Sequence, residues 1–167
     1  MECLKIKIDK IDSAGELESL VQGKQIFKLD ETSNAYYYIT IEKDYILGVE
    51  CNNYGTDIEC KFADNNQYIY IGVGMYLLCL DIKQRSACFC KELGSVFFEI
   101  LTDSFGCYYV VICELDLYVY KNNNQVWEIG FRDIIVDYEL MNDKYIRVVS
   151  NEGEETTFSI NDGSIIK

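Results

Sequence analysis

Histidine and proline are absent from these 167 residues, and tryptophan occurs once. Without histidine the chain lacks the commonest general base, the Ser-His-Asp and Cys-His nucleophile pairs, and the imidazole ligands of ordinary zinc sites. No CxxC pair supplies a thiolate alternative. Neither GxxxxGK[ST] nor GxGxxG is present, and the two glycines of "GVGMY", Gly72 to Tyr76, fall inside a hairpin pattern instead of opening a helix. The nearest calcium-like loop, "SNEGEE" from Ser150 to Glu155, lacks EF-hand spacing. No metal, cofactor or catalytic constellation is therefore expected, and no carboxylate pair stands out among the acids, so the chain reads as a non-enzyme. Also missing is any apolar run near the roughly eighteen residues a membrane helix needs. The opening "MECLKIKIDKID" alternates apolar and charged residues without the apolar centre of a secretory signal, and is expected to be the first strand of a cytoplasmic protein.

What is present is β-type sequence. Hydrophobic residues make up 49% and aromatics 14% of the chain, enough for one folded domain over residues 1–167. Runs of Tyr, Ile, Val and Phe are interrupted by "CNNYGTD", "ADNNQ", "TDSFG", "KNNNQ", "MNDK", "SNEGE" and "INDG", residues that adopt turn and left-handed conformations cheaply. Only "SAGELESLVQ", Ser13 to Gln22, has helical spacing, behind a serine cap. Of eight cysteines, Cys79, Cys107 and Cys113 sit in apolar runs, and Cys88 and Cys90 share one face of a strand. Without a secretion signal all are expected reduced.

The chain also repeats. Asp64, Asp103 and Asp143, spaced by 39 and 40 residues, each precede an aromatic-rich strand: "YIYIG", "YYVVI" and "YIRVV". A second strand follows each, "YLLCLDI", "LDLYVYK" and "ETTFSIN", and then a polar turn. Blade-like units are expected over 61–98, 99–138 and 139–167, with residues 1–60 supplying N-terminal strands and a short helix. In "CYYVVIC" both alternating residue sets are largely apolar, so that strand must be covered on both sides. The period resembles that of WD40-type propeller blades, although the Gly-His and Trp-Asp signatures are absent. The expected fold is all-β: antiparallel hairpins in repeats of about 40 residues, forming a partial propeller or a strongly curled sheet, with a β-sandwich or barrel as the alternative.

Fifteen basic residues face twenty-eight acidic ones, a net charge of −13. Such a chain repels nucleic acid and acidic membranes and attracts basic proteins, though solubility alone also explains an acidic surface. Its size, charge and Tyr/Asn/Ile-rich composition resemble those of immunity proteins from bacterial polymorphic toxin and contact-dependent inhibition systems. That resemblance implies a monomer that occludes a cognate basic toxin, a nuclease, in a one-to-one complex. The alternatives are a nucleic-acid mimic of anti-defence type and a propeller-like structural module. Carboxylates interleave with aromatics most densely toward the C-terminus, which nominates Phe131, Asp133, Asp137, Tyr138, Glu139, Asp143, Tyr145, Glu152, Glu154 and Glu155 as partner-binding residues.

One stretch stays open between two readings. "YKNNNQVWEIG", Tyr120 to Gly130, falls opposite "KQRSACFC", Lys83 to Cys90, in the repeat. That makes the asparagines a turn and sets Trp127 near Cys88, at an inward or inter-blade packing position. The other reading is a polar-aromatic binding spot.

Overall fold

The computed structural model describes residues 5–63 and 66–166, so Asp64, the first aspartate of the repeat, lies outside the described residues. The chain runs β1 (Ile6–Ile11), α1 (Ala14–Val21), β2 (Ile26–Lys28), β3 (Ala35–Ile41), β4 (Tyr45–Cys51), β5 (Glu59–Ala63), β6 (Tyr68–Val73), β7 (Tyr76–Asp81) and β8 (Ser86–Glu92). It continues with β9 (Phe97–Thr102), β10 (Tyr108–Cys113), β11 (Asp116–Lys121), β12 (Asn124–Gly130), β13 (Ile135–Met141), β14 (Tyr145–Ser150) and β15 (Glu155–Ser159). Four sheets result. Sheet A has the order β1-β3-β4-β2, with β2 parallel to β4; sheets B (β5 to β8), C (β9 to β12) and D (β13 to β15) are antiparallel meanders.

Three apolar layers join the sheets A to B, B to C and C to D. Two-faced strands make this stacking possible. Ile69, Ile71 and Val73 of β6 pack toward A, while Tyr70 packs toward C. Tyr109, Val111 and Cys113 of β10 face B, while Val110 and Ile112 face D. All of these are buried, and each large apolar side chain so buried contributes about 1.5–3 kcal/mol. Between B and C the layers are tight: a Cβ on Gly72 would lie 2.3 Å from the ring of Phe97. Glycine is the residue that leaves room for that ring.

A glutamate recurs every forty residues in the first strand of each meander. The Glu59 carboxylate in β5 accepts from the Ile100 N–H of β9 at 2.7 Å, and Glu99 in β9 accepts from the Tyr138 hydroxyl of β13 at 2.9 Å. Their cross-strand partners are Gly72 and Ile112. The third member, Glu139, has no sheet beyond it among the described residues and lies 3.7 Å from its cross-strand partner Arg147.

The two ends of the stack are finished differently. The outer face of sheet A is covered by α1, whose Leu17 and Val21 are buried and whose Leu17 lies 3.2 Å from the Cβ that Gly48 lacks. Ser13 caps this helix by accepting from the Glu16 N–H at 3.3 Å, and Gln22 ends it in a left-handed conformation. Eight residues are too few for a helix to persist alone, so packing on the sheet holds it. The outer face of sheet D instead carries Arg147, which contacts Asp137 at 2.8 Å and Glu155 at 3.4 Å as well as Glu139. Among the described residues sheet D has no full fourth strand; an isolated bridge from Phe158 to Ile165 stands in its place.

Residues 6–51 thus form a complete sheet of their own, and the meanders begin at Glu59, Phe97 and Ile135, a few residues ahead of the boundaries expected from sequence. Seven cysteines are described, and no disulfide joins any two of them. None of the described helices is long and apolar enough to cross a membrane.

Candidate functional site

Strand registers divide the connections between two opposite ends of the stack. One, the turn end, carries the β3–β4, β5–β6, β7–β8, β9–β10, β11–β12 and β13–β14 connections; the other, the loop end, carries the remaining inter-strand loops and residues 29–34. The loops of the loop end are stitched together across sheets. Phe97 N–H donates to the Gly74 carbonyl (2.7 Å), Glu114 N–H to Val96 (2.8 Å), Ile135 N–H to Glu114 (2.8 Å) and Asn151 N–H to Ile134 (2.8 Å). Asp133 adds a side-chain tie, accepting from the Glu152 N–H at 2.6 Å.

Charge is divided unequally between these ends. Among the described residues, the loops of the loop end hold seven carboxylates (Asp30, Glu31, Asp57, Glu114, Asp133, Glu152 and Glu154) against one cation, Arg132. Those of the turn end hold four against four. Apolar side chains stand exposed beside the acidic loops: Tyr54 at 48%, Ile134 at 42%, and Val136 at the start of β13.

The ten residues nominated from sequence do not form one face. Asp133, Glu152 and Glu154 lie at the loop end. Asp137, Glu139 and Glu155 surround Arg147 on the outer face of sheet D, and Tyr145, two residues before Arg147, shares that face. Asp143 is at the opposite, turn end, where its carboxylate accepts from the backbone N–H of Ser104 (2.8 Å) and from its hydroxyl; these bonds hold it below the usual carboxylate range. Two of the aromatics are half-buried and pack against the C–D layer. Phe131 packs edge-on to Phe158 with ring centres 5.9 Å apart, and Tyr138 is pushed up to about 12 by burial and by its bond to Glu99. Their alternation along β13 and the preceding loop turned them inward.

The asparagine-tryptophan stretch divides likewise. Asn122 and Asn123, both at positive φ, form the two-residue turn between β11 and β12, and Asn123 accepts from the Tyr70 hydroxyl of sheet B at 2.9 Å. Trp127 packs in the C–D layer and donates from Nε1 to the Ile160 carbonyl at 2.9 Å. Both β7–β8 and β11–β12 skip one residue in their pairing, Cys88 and Val126, so Trp127 matches Phe89, one position beyond Cys88.

Sequence reasoning passed over a pocket of about 720 Å³ at the turn end between sheets B and C, with Asn122 and Asn123 in its wall and Phe105 at its mouth. The readable signal was a phenylalanine in the middle of the turn cluster "TDSFG".

No protein-family model matches this chain, and no curated protein matches it. Solved structures do. It is similar to the β-propeller domain of Myceliophteria thermophila Cps50 (Swd1), with 13% identity over 67% of this chain and a TM-score of 0.52. Hydrazine synthase of Kuenenia stuttgartiensis gives 12% identity over 79% and 0.57, and the dihydro-heme d1 dehydrogenase NirN gives 15% over 79% and 0.55. The fold is a partial β-propeller. The chain spans 38%, 42% and 32% of those three chains, respectively, and at such identities the likeness concerns the fold alone.

Proposed function

We propose that this partial propeller is an acidic protein-binding module whose loop end covers a cationic surface on a partner, and that the partner is a basic toxin domain of nuclease type, neutralised in the cytoplasm. The observation that carries the reading is the charge division between the two ends, seven carboxylates to one cation against four to four. A nuclease gathers cations in its substrate groove to hold phosphates, and a face of carboxylates meets that groove with the same electrostatics. Charge of this kind raises the association rate, whereas affinity comes from a few desolvated apolar anchors. Tyr54 and Ile134, exposed among the carboxylates, are suited to the anchoring role. The backbone bonds between the loops fix their positions before a partner arrives, which lowers the ordering cost of docking.

The test starts from the neighbouring gene, where a basic toxin domain is expected, and follows association and dissociation with that domain separately at low and high salt. Association is expected to slow by roughly tenfold or more as salt rises. Glu152→Lys with Glu154→Lys should slow association at low salt and leave dissociation nearly unchanged, while Tyr54→Ala should speed dissociation. A rate indifferent to salt, or a double variant that associates as fast as the parent, would defeat the loop-end assignment.

A further inference from the structure

Charge is not spread evenly over the turn end. At the corner between sheets A and B three connections meet: 22–25 ahead of β2, 42–44 between β3 and β4, and 82–85 between β7 and β8. Because β2 runs parallel to β4, the link before it opens at the turn end as well. Among the described residues these connections hold four cations, Lys24, Lys43, Lys83 and Arg85, beside two carboxylates, Glu42 and Asp44. In a chain of net charge −13 this is a local excess of positive charge. The carboxylates of the loop end lie too far away to cancel it. The six residues of β7 alone set the ends about 20 Å apart, at about 3.3 Å per residue, whereas the Debye length at physiological salt is about 8 Å.

A pocket of about 220 Å³ opens at this corner, lined by Lys24 and Gln25 on one side, Asp44 and Tyr45 on another, and Arg85 from sheet B. That is small for a whole organic molecule, whose sites usually span about 300–1,000 Å³, and ample for one charged group. Arg85 is firmly placed. The buried Asp81 carboxylate accepts from the Gln84 N–H at 2.8 Å and fixes the β7–β8 turn, and Arg85 itself is left-handed, with φ 54°. Its guanidinium lies over the Tyr45 ring, 5.7 Å from the ring centre, and pairs with Asp44, whose carboxyl it holds below the usual carboxylate range. Tyr45 supplies an independent sign of a ligand. It is 5% exposed, and its hydroxyl has no hydrogen-bond partner among the described residues. An unpaired buried hydroxyl is unfavourable, and folded proteins seldom keep one unless a group from outside the chain completes it. Burial raises this phenol, so it retains the proton it has to donate.

Ligand class follows from the donors. A guanidinium, an ammonium and an uncommitted phenol line one pocket; the first two only donate, and the Gln25 side-chain amide adds a further N–H source. Such a set suits an oxyanion with several terminal oxygens. Arg85 already has a carboxylate, so a ligand that takes it over must carry more charge than Asp44 does. A phosphoryl group meets both conditions, with three terminal oxygens and a charge of about −1.5 to −2 at neutral pH. We propose that this corner pocket binds the phosphoryl group of a small phosphorylated ligand, with Arg85 and Lys24 as its cations and the Tyr45 hydroxyl as a neutral donor. Asp44 is a positioning residue: it holds the guanidinium over the pocket until the ligand replaces it. Drawing the guanidinium toward the ligand, and off the Tyr45 ring, opens the hydroxyl to a phosphoryl oxygen.

The site is independent of the loop-end reading, and its test needs no protein partner. Inorganic phosphate and phenyl phosphate are titrated into the intact, isotope-labelled protein at constant ionic strength and followed by NMR, with acetate and chloride as controls. Saturable amide shifts are expected with both phosphates, concentrated at 22–25, 42–46 and 82–85. Arg85→Ala should weaken binding roughly tenfold. Its side chain is half exposed, so the fold should persist, and Lys24→Ala provides a second variant on the surface. Two variants separate a binding role from a structural one. Asp44→Asn should strengthen binding, since it frees Arg85, and Tyr45→Phe should weaken it without lowering the melting temperature, since only an unpartnered hydroxyl is removed. Glu152→Lys with Glu154→Lys should leave phosphate binding intact. No saturable shift at this corner, an equal response to acetate or chloride, or phosphate affinity untouched by both Arg85→Ala and Lys24→Ala would overturn the proposal. Weaker binding by Asp44→Asn, or full affinity in Tyr45→Phe, would overturn it equally.

Discussion

Replacing Gly72 by alanine tests how tightly the stack is packed. The added methyl carbon would lie 2.3 Å from two ring carbons of Phe97 and 2.7 Å from a third, well inside contact distance. Phe97 is fully buried in the B–C layer, and its backbone N–H is fixed to the Gly74 carbonyl, so the ring has little freedom to withdraw. Overpacking of this kind costs about 1–3 kcal/mol. For a chain of this size each 1 kcal/mol moves the melting temperature by about 2–4 °C, so a loss of several degrees is expected by circular dichroism. Phe97→Leu alone should also destabilise, through lost burial and a cavity. Combined, the two changes should cost less than their sum, because the smaller side chain makes room for the methyl. The coupling should fall within about 0.5–3 kcal/mol, the range for residues in contact. Strict additivity, or an alanine variant as stable as the parent, would refute the account of how sheets B and C are joined.

Two further predictions use the titratable groups. Burial pushes the Cys51 and Cys60 thiols up to about 12, and Cys51, Cys79 and Cys113 are buried, whereas Cys88, Cys90 and Cys107 are exposed. Peptide mapping after thiol alkylation of the native protein should therefore find the exposed three labelled, and the buried three only after denaturation. Tyr138 is raised by burial and by Glu99, so the folded state favours its neutral form. Its contribution to stability is fully present below about pH 10 and is lost as pH rises from there through about 12. Thermal unfolding followed across that window should show a steeper alkaline decline in the parent than in Tyr138→Phe.

The architecture was largely legible because it rests on local rules. Two-faced apolar strands such as "CYYVVIC" demanded cover on both sides, and Asn and Gly at the turns fixed the hairpins. Asn122, Asn123 and Gly106 all adopt the left-handed conformations their types permit. Parallel pairing of the three-residue β2 with β4 was not legible, since nothing in Ile26–Lys28 specifies its partner. The acidic face was legible only in part. Asp133, Glu152 and Glu154 are close in sequence, but Asp30, Glu31 and Glu114 join them through topology. Phe131 and Tyr138 show why: an aromatic beside carboxylates looks the same in sequence whether alternation points it outward or against the next layer.

Glu139 sits at the face where a stack of this kind could go on. A stack of equivalent units with identical faces has no reason to stop, and one molecule would continue onto the next in an open filament. At the register position facing this glutamate, sheets B and C carry Gly72 and Ile112, residues compatible with another layer, while sheet D carries Arg147. An inherited attachment point is thereby turned back on its own sheet and wrapped in charge. A single exchange of residue type thus turns an apolar-compatible face into a polar one.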